Sequence, residues 1–180
     1  MLQKKRVTPT LPDYQSVVKM YHEAFPASEQ LPLWYLQFLT LQKAISFLAY
    51  YDDDQIVGMI YTTKTQNTIF VLYLATNARI RSRGYGTKIL QQLIRENPNQ
   101  KIVLNIEPQD VSADNADQRA KRLRFYQKNG FKQTGYVIED SNQEFDILST
   151  SNHFSIVDYK RAVKKLSFGF QKVTVNPKEN

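Results

Sequence analysis

Between Thr68 and Ile106 the sequence reads as a strand, a basic glycine-bearing turn, an amphipathic helix and a second strand. This run constrains the fold more than any other. Thr68 to Ala75 is the first strand. Gly84 to Glu96 puts Ile89, Leu90, Leu93 and Ile94 on one helical face. Asn97-Pro98-Asn99 ends the helix. Lys101 to Ile106 then reads as a buried strand of the kind found in parallel sheets. A strand, a helix and a strand imply a right-handed crossover, so the two strands are expected as parallel neighbours.

The flanking sequence supplies hairpins. Ala44 to Tyr51 and Gln55 to Thr65 are strands around the turn Asp52-Asp53-Asp54, and Gln66-Asn67 turns into Thr68. Upstream, Lys5 to Thr8 is a short first strand. Asp13 is placed to cap a helix whose apolar face is Val17, Val18, Tyr21 and Phe25, and Pro26 stops it. After a loop from Ala27 to Pro32, Leu33 to Leu41 is a second helix. Downstream, a polar loop from Glu107 to Asp114 leads to a helix over 117–128, which Asn129-Gly130 stops. Phe131 to Glu139 and Glu144 to Thr150 are strands, Val157 to Leu166 is a short helix, and 176–180 is expected to fray. The order predicts an α/β protein with a mixed α+β sheet. That sheet is mostly antiparallel, has one parallel pair and is flanked by helices in a single domain over 1–180.

With 180 residues, 42% hydrophobic, the chain can bury a core without staples. It has no cysteine, which excludes thiolate catalysis and disulfides. The basic N-terminus is followed by no apolar run of signal-peptide type. No stretch reaches the roughly 20 apolar residues of a membrane span. A soluble cytoplasmic protein is therefore expected, with no membrane partner. The net charge of +7 favours an anionic partner.

The turn Arg81-Ser82-Arg83-Gly84-Tyr85-Gly86-Thr87 joins a strand end to a helix start. A helix start offers free N–H groups and the positive end of the dipole. Gly84 and Gly86 let the backbone approach an anion, and Arg81 and Arg83 add charge. Together they form a diphosphate cradle. The turn lacks the Gly-Lys-Ser/Thr of a Walker loop and the third glycine of the dinucleotide fingerprint.

The segment resembles the cofactor motif of the GNAT family of N-acetyltransferases, Gln/Arg-x-x-Gly-x-Gly/Ala, with Arg81, Gly84 and Gly86 at its fixed positions. A second segment, Arg124-Phe125-Tyr126-Gln127-Lys128-Asn129-Gly130-Phe131, resembles the family's later helix end. The two stand in the family's order, and the element order matches from Val7 to Thr150. The resemblance implies a GNAT-like fold and an N-acetyltransferase that uses acetyl-CoA as co-substrate and needs no metal. Backbone groups of Leu74, Ala75 and Thr76 would meet the pantetheine arm. The N–H groups from Ser82 to Thr87 would hold the pyrophosphate.

The implied reaction is direct attack of an amine on a thioester, which needs an acid for the thiolate and a base for the amine. Tyr126 is the candidate acid. Glu107, just after the strand Lys101–Ile106, is the candidate base. Glu29 and Trp34, in and after the loop between the first helices, are candidates for acceptor binding. His22 and His153 have no metal-ligand spacing. Arg119 stands where many family members carry an Asn that touches the pantetheine. The alternatives to an enzyme are a non-catalytic acyl-CoA-binding module and a basic nucleic-acid-binding protein; no nucleic-acid motif supports the second. The acceptor is an amine-bearing small molecule or a protein amine, and the chain is a monomer or a homodimer.

Overall fold

Alternating apolar residues draw the hairpins, and one amphipathic helix between two apolar strands draws the crossover. A computed structural model shows both, and it describes residues 1–80, 83–140, 143–167 and 173–178. The strands are β1 (Gln3–Arg6), β2 (Ile45–Asp52), β3 (Gln55–Lys64), β4 (Thr68–Thr76), β5 (Lys101–Ile106), β6 (Lys132–Asp140), β7 (Gln143–Ser149) and β8 (Thr174–Pro177). The helices are α1 (Tyr14–Ala24), α2 (Leu33–Leu39), α3 (Tyr85–Glu96), α4 (Ala116–Lys128) and α5 (Ile156–Lys164). The sheet is mixed, with one parallel pair, as the crossover predicts. Among the described residues no helix is long and apolar enough to cross a membrane.

The chain forms two compact units. The first holds Met1–Thr63 and Val71–Pro98, and the second Lys64–Phe70 and Asn99–Asn180. Strand β4 contributes to both. In the first unit the strand order is β1-β2-β3-β4. Strands β1 and β2 are antiparallel, with Arg6 opposite Leu48, and so are β2 and β3, with Ile45 opposite Thr63. A register shift falls between Tyr50 and Tyr51. The core of this unit includes Tyr21, Leu36, Phe47, Tyr61, Ile89 and Leu90, each almost fully buried. Gln92, buried on α3, accepts from the Leu2 amide at 3.0 Å and donates to the Leu2 carbonyl at 3.1 Å, so the chain start is fastened to the helix.

Gly58 on β3 makes that packing possible. A Cβ there would lie 2.6 Å from Ile89 Cδ1 on α3 and 2.8 Å from the Ala75 carbonyl oxygen on β4. Helix α3 therefore rests on a strand position that admits no side chain.

In the second unit the order continues from β4 through β5, β7 and β6 to β8. The pairs β5–β7, β6–β7 and β6–β8 are all antiparallel. Ser155 caps α5, its hydroxyl accepting from the Asp158 amide at 3.3 Å. Tyr159 from α5 is fully buried and donates its hydroxyl to Asn105 Oδ1 at 3.0 Å.

Three expectations need correction. The first strand is Gln3–Arg6 rather than Lys5 to Thr8. Asp13 precedes α1 but its side chain caps nothing; Asp13 Oδ2 instead accepts from the Tyr51 hydroxyl at 3.1 Å. The segment from Asn176 does not fray as far as Lys178. Residues 174–177 pair with β6, the Lys178 amide donates to the Gly135 carbonyl at 2.8 Å, and Lys178 Nζ reaches both oxygens of the buried Asp146. That buried carboxylate needs a cation, and the chain end supplies one.

Candidate active site

The first unit carries the strand–turn–helix element. Strand β4 ends at Thr76, and a single 3-10 turn, Ala78–Ile80, follows. Asn77 fixes the exit: its amide donates to the Val57 carbonyl at 3.0 Å, its Nδ2 to the Ile56 carbonyl at 3.0 Å, and its Oδ1 accepts from the Arg79 amide at 3.0 Å. No motif singles out Asn77 as the anchor of the turn. Arg81 and Ser82 lie outside the described residues. Arg83 is exposed.

Gly84 precedes the first turn of α3 with φ 76° and ψ 10°, in the left-handed region where glycine costs least. A Cβ there would meet nothing within 4 Å, so the requirement is conformational rather than spatial. The Lys88 amide makes the first bond of the helix, to the Gly84 carbonyl at 3.0 Å. The amides of Tyr85 and Gly86 thus stand ahead of the i to i−4 ladder. Gly84 itself offers no side chain to cap this end, and no acid lies in the first turn. The dipole and the neighbouring cations act together, which suits an anion.

The Tyr85 side chain faces a different task from its amide. Its hydroxyl donates to Asp52 Oδ2 at 2.9 Å, and Lys88 sits 4.6 Å from its ring centroid and 3.7 Å from the same carboxylate. The hydrogen bond to Asp52 raises the Tyr85 hydroxyl above its ordinary range. This ties the helix start to the β2–β3 turn. Of the residues expected along the pantetheine, Ala75 is buried and Leu74 and Thr76 are half-buried at the β4 end.

The loop between α1 and α2 is held by tyrosines that no motif announced. The Tyr73 hydroxyl donates to the Glu29 carbonyl at 2.7 Å and accepts from the Leu31 amide at 3.2 Å. The Tyr21 hydroxyl donates to the Leu31 carbonyl at 3.0 Å. Tyr73 also packs against Tyr21 and Phe25, with centroids 5.0 and 4.7 Å away. Burial and the Tyr73 contact push the Tyr21 hydroxyl far above its usual value, so Tyr21 is a neutral pin. Glu29 is half-buried in this loop, and Trp34, on the first turn of α2, is 71% exposed.

The second unit holds the two candidate proton carriers. Tyr126 lies near the end of α4, half-buried, with its ring 5.1 Å from Phe125 and 5.6 Å from Phe131. Burial pushes its hydroxyl up to about 12, against a smaller pull from Arg122. The phenol therefore keeps its proton at neutral pH. Glu107 follows β5 and is mostly covered. It accepts from Asn115 Nδ2 at 2.9 Å, from Arg122, and faces Arg119 at 3.6 Å. Arg119 in turn donates to Asn115 Oδ1 at 2.6 Å and to the Pro108 carbonyl at 3.0 Å. Arg119 and Arg122 thus join the 107–115 loop to α4. Among the described residues no cluster of His, Asp and Glu could hold a metal.

Comparison with known proteins agrees with this architecture. A family profile described as "Acetyltransferase (GNAT) domain" matches residues 43–133, half of the chain. A search of curated proteins found no match. Among solved structures, one described as an acetyltransferase of the GNAT family from Bacteroides thetaiotaomicron superposes with TM-score 0.74 at 22% identity, covering 94% of this chain and 99% of that one. An aminoglycoside 6'-N-acetyltransferase complexed with coenzyme A gives TM-score 0.62 at 15% identity over 85% and 98% of the two chains. Arabidopsis thaliana Naa50, in complex with the bisubstrate analogue CoA-Ac-MVNAL, gives 0.60 at 17% over 83% and 98%. With the profile spanning the crossover, the turn and the helix that carries Tyr126, the chain belongs to the GNAT family of acetyltransferases and is an acyltransferase.

Proposed function

We propose that this protein transfers the acetyl group of acetyl-CoA to a primary amine by direct attack. The observation that carries the reading is the start of α3: a left-handed Gly84, the Tyr85 and Gly86 amides ahead of the helical ladder, no acid in the first turn and the exposed Arg83 beside it. That arrangement fits a diphosphate. Its amides from Ser82 to Thr87, with Arg81 and Arg83, are the proposed pyrophosphate contacts. The backbone of Leu74, Ala75 and Thr76 is the proposed contact for the pantetheine.

Tyr126 is the proposed acid. Raised to about 12, its hydroxyl holds a proton that the departing thiolate can take. Glu107 is the proposed base for the attacking amine, directly or through a water relay. Its oxygens are engaged by Asn115, Arg119 and Arg122. Proton uptake there has to loosen one of these contacts. Glu29 and Trp34 are proposed to meet the acceptor, an amine-bearing small molecule or a protein amine. The reading places the protein in the cytoplasm, as a monomer or a homodimer, with one catalytic domain.

A thiol-release assay with acetyl-CoA against a panel of small amines and peptides tests this. Release that depends on an added amine, and that falls on substitution of Gly84 with the fold intact, is the expected result. CoA binding without transfer to any amine would favour a non-catalytic acyl-CoA-binding module.

A further inference from the structure

The start of α3 carries a cation that the proposed diphosphate contacts leave out. Lys88 is the fourth residue of the helix, and its amide makes the first ladder bond, to the Gly84 carbonyl at 3.0 Å. Side chains on a helix lean toward its N-terminus. The Lys88 side chain does so: its ammonium lies 4.6 Å from the ring centroid of Tyr85, the first helical residue. The charge is thereby carried back to the residue whose own amide stands ahead of the ladder.

The same ammonium lies 3.7 Å from Asp52 Oδ2, at the end of β2. That contact is too long for a hydrogen bond, so the three ammonium donors are not spent on Asp52. The tie between β2 and α3 is made instead by the Tyr85 hydroxyl, which donates to that oxygen at 2.9 Å. Lys88 and Asp52 keep 54% and 44% of their side chains exposed, so the ammonium has room to turn. Asp52 draws it away from any anion at the helix start.

We propose that Lys88 is a further contact for the CoA diphosphate, and that Asp52, by holding the ammonium, sets how tightly the anion is gripped. The proposal rests on the acetyl-CoA reading above. Lys88 is a binding residue, and Asp52 is a positioning residue that acts through it. A moderated grip suits a co-product, CoA, that has to leave after each transfer.

Calorimetric titration of CoA into the full chain and its variants is the test, with melting curves to show that each variant is folded. Lys88→Gln is expected to raise the Kd roughly fivefold, the upper end for an exposed ion pair, and Lys88→Arg to stay within about twofold of the parent. Asp52→Asn keeps an oxygen that accepts from Tyr85 and removes the charge. It is expected to lower the Kd roughly threefold, whereas loss of a merely structural tie would not tighten binding. In the Lys88→Gln background the same change is expected to gain less than about half as much, since the two residues are coupled. Dephospho-CoA, which lacks the 3'-phosphate and keeps the diphosphate, is expected to show the same pattern. The proposal is overturned by an unchanged Kd in Lys88→Gln, by equal or weaker binding in Asp52→Asn, or by an Asp52→Asn gain that persists in full without Lys88. A pattern lost with dephospho-CoA would also overturn it, by assigning Lys88 to the 3'-phosphate. A folded parent that binds no CoA would instead remove the diphosphate reading itself, and the proposal with it.

Discussion

Substituting Gly58 by Ala tests whether α3 is seated as tightly as its geometry states. The new methyl carbon would start 2.6 Å from Ile89 Cδ1 and 2.8 Å from the Ala75 carbonyl oxygen. The first contact is with the end of a flexible side chain, which can rotate. The second is with the main chain of β4, which cannot give way without disturbing the sheet. Overpacking of this kind costs about 1–3 kcal/mol, and the fixed carbonyl puts this site in the upper part of that range. For a chain of this length each kcal/mol lowers the melting temperature by roughly 2–4 °C, so a fall of roughly 4–12 °C is expected. Calorimetry or circular dichroism reads it. Adding Ile89→Val removes Cδ1 but not the Ala75 oxygen, so the double variant recovers little. A single variant melting within about 1 °C of the parent would refute the packing argument. Full recovery in the double variant would show that the side chain, not the strand backbone, sets the limit.

Tyr126→Phe is expected to lower kcat by roughly 10²-fold while leaving the affinity for acetyl-CoA unchanged, measured by thiol release and calorimetry. Unchanged kcat would remove Tyr126 from the acid role. Tyr73→Phe leaves the Leu31 amide and the Glu29 carbonyl without their shared hydroxyl; a loss of about 1–2 kcal/mol in urea unfolding and a raised acceptor KM at constant acetyl-CoA KM are expected. Lys178→Met strips the buried Asp146 of its cation, and a loss of about 1–3 kcal/mol is expected in the same assay. Stability should also fall at high pH. Tyr51 and Tyr126 are raised to about 12, chiefly by burial, from an ordinary value of 10.0. Above pH 10 the unfolded chain gives up these phenolic protons while the folded chain keeps them, so folding weakens as pH climbs toward 12. Urea midpoints at pH 8 and near pH 11 check this, and equal midpoints would contradict it.

The elements that could be read from sequence were those whose pattern is local. The hairpins around Asp52–Asp54, the helix face of Ile89, Leu90 and Leu93, and strand Lys101–Ile106 all declare their period within a dozen residues. Strand β8 does not. It is four residues long, contains Pro177, and exists because β6 offers an edge and Asp146 needs Lys178. Glycine motifs drew attention to Gly84, yet Gly58 carries the tighter steric demand, set by residues 17 and 31 positions away. The tyrosine pins on the 29–31 loop have the same origin, since Tyr73 meets Leu31 only after β4 and α1 have packed. Glu107 was readable as a carboxylate at a strand end. Its engagement by Arg119 and Arg122 depends on how the 107–115 loop folds back onto α4.

The central claim is that the start of α3 binds the diphosphate of acetyl-CoA. Titration of CoA into the isotopically labelled protein tests it most directly, with the amides of Gly84, Tyr85 and Gly86 as reporters. Saturable shifts at these amides, abolished by Gly84→Val and absent with pantetheine alone, are predicted. Saturable CoA binding that leaves these amides unmoved, or no CoA binding by a folded protein, would contradict the account.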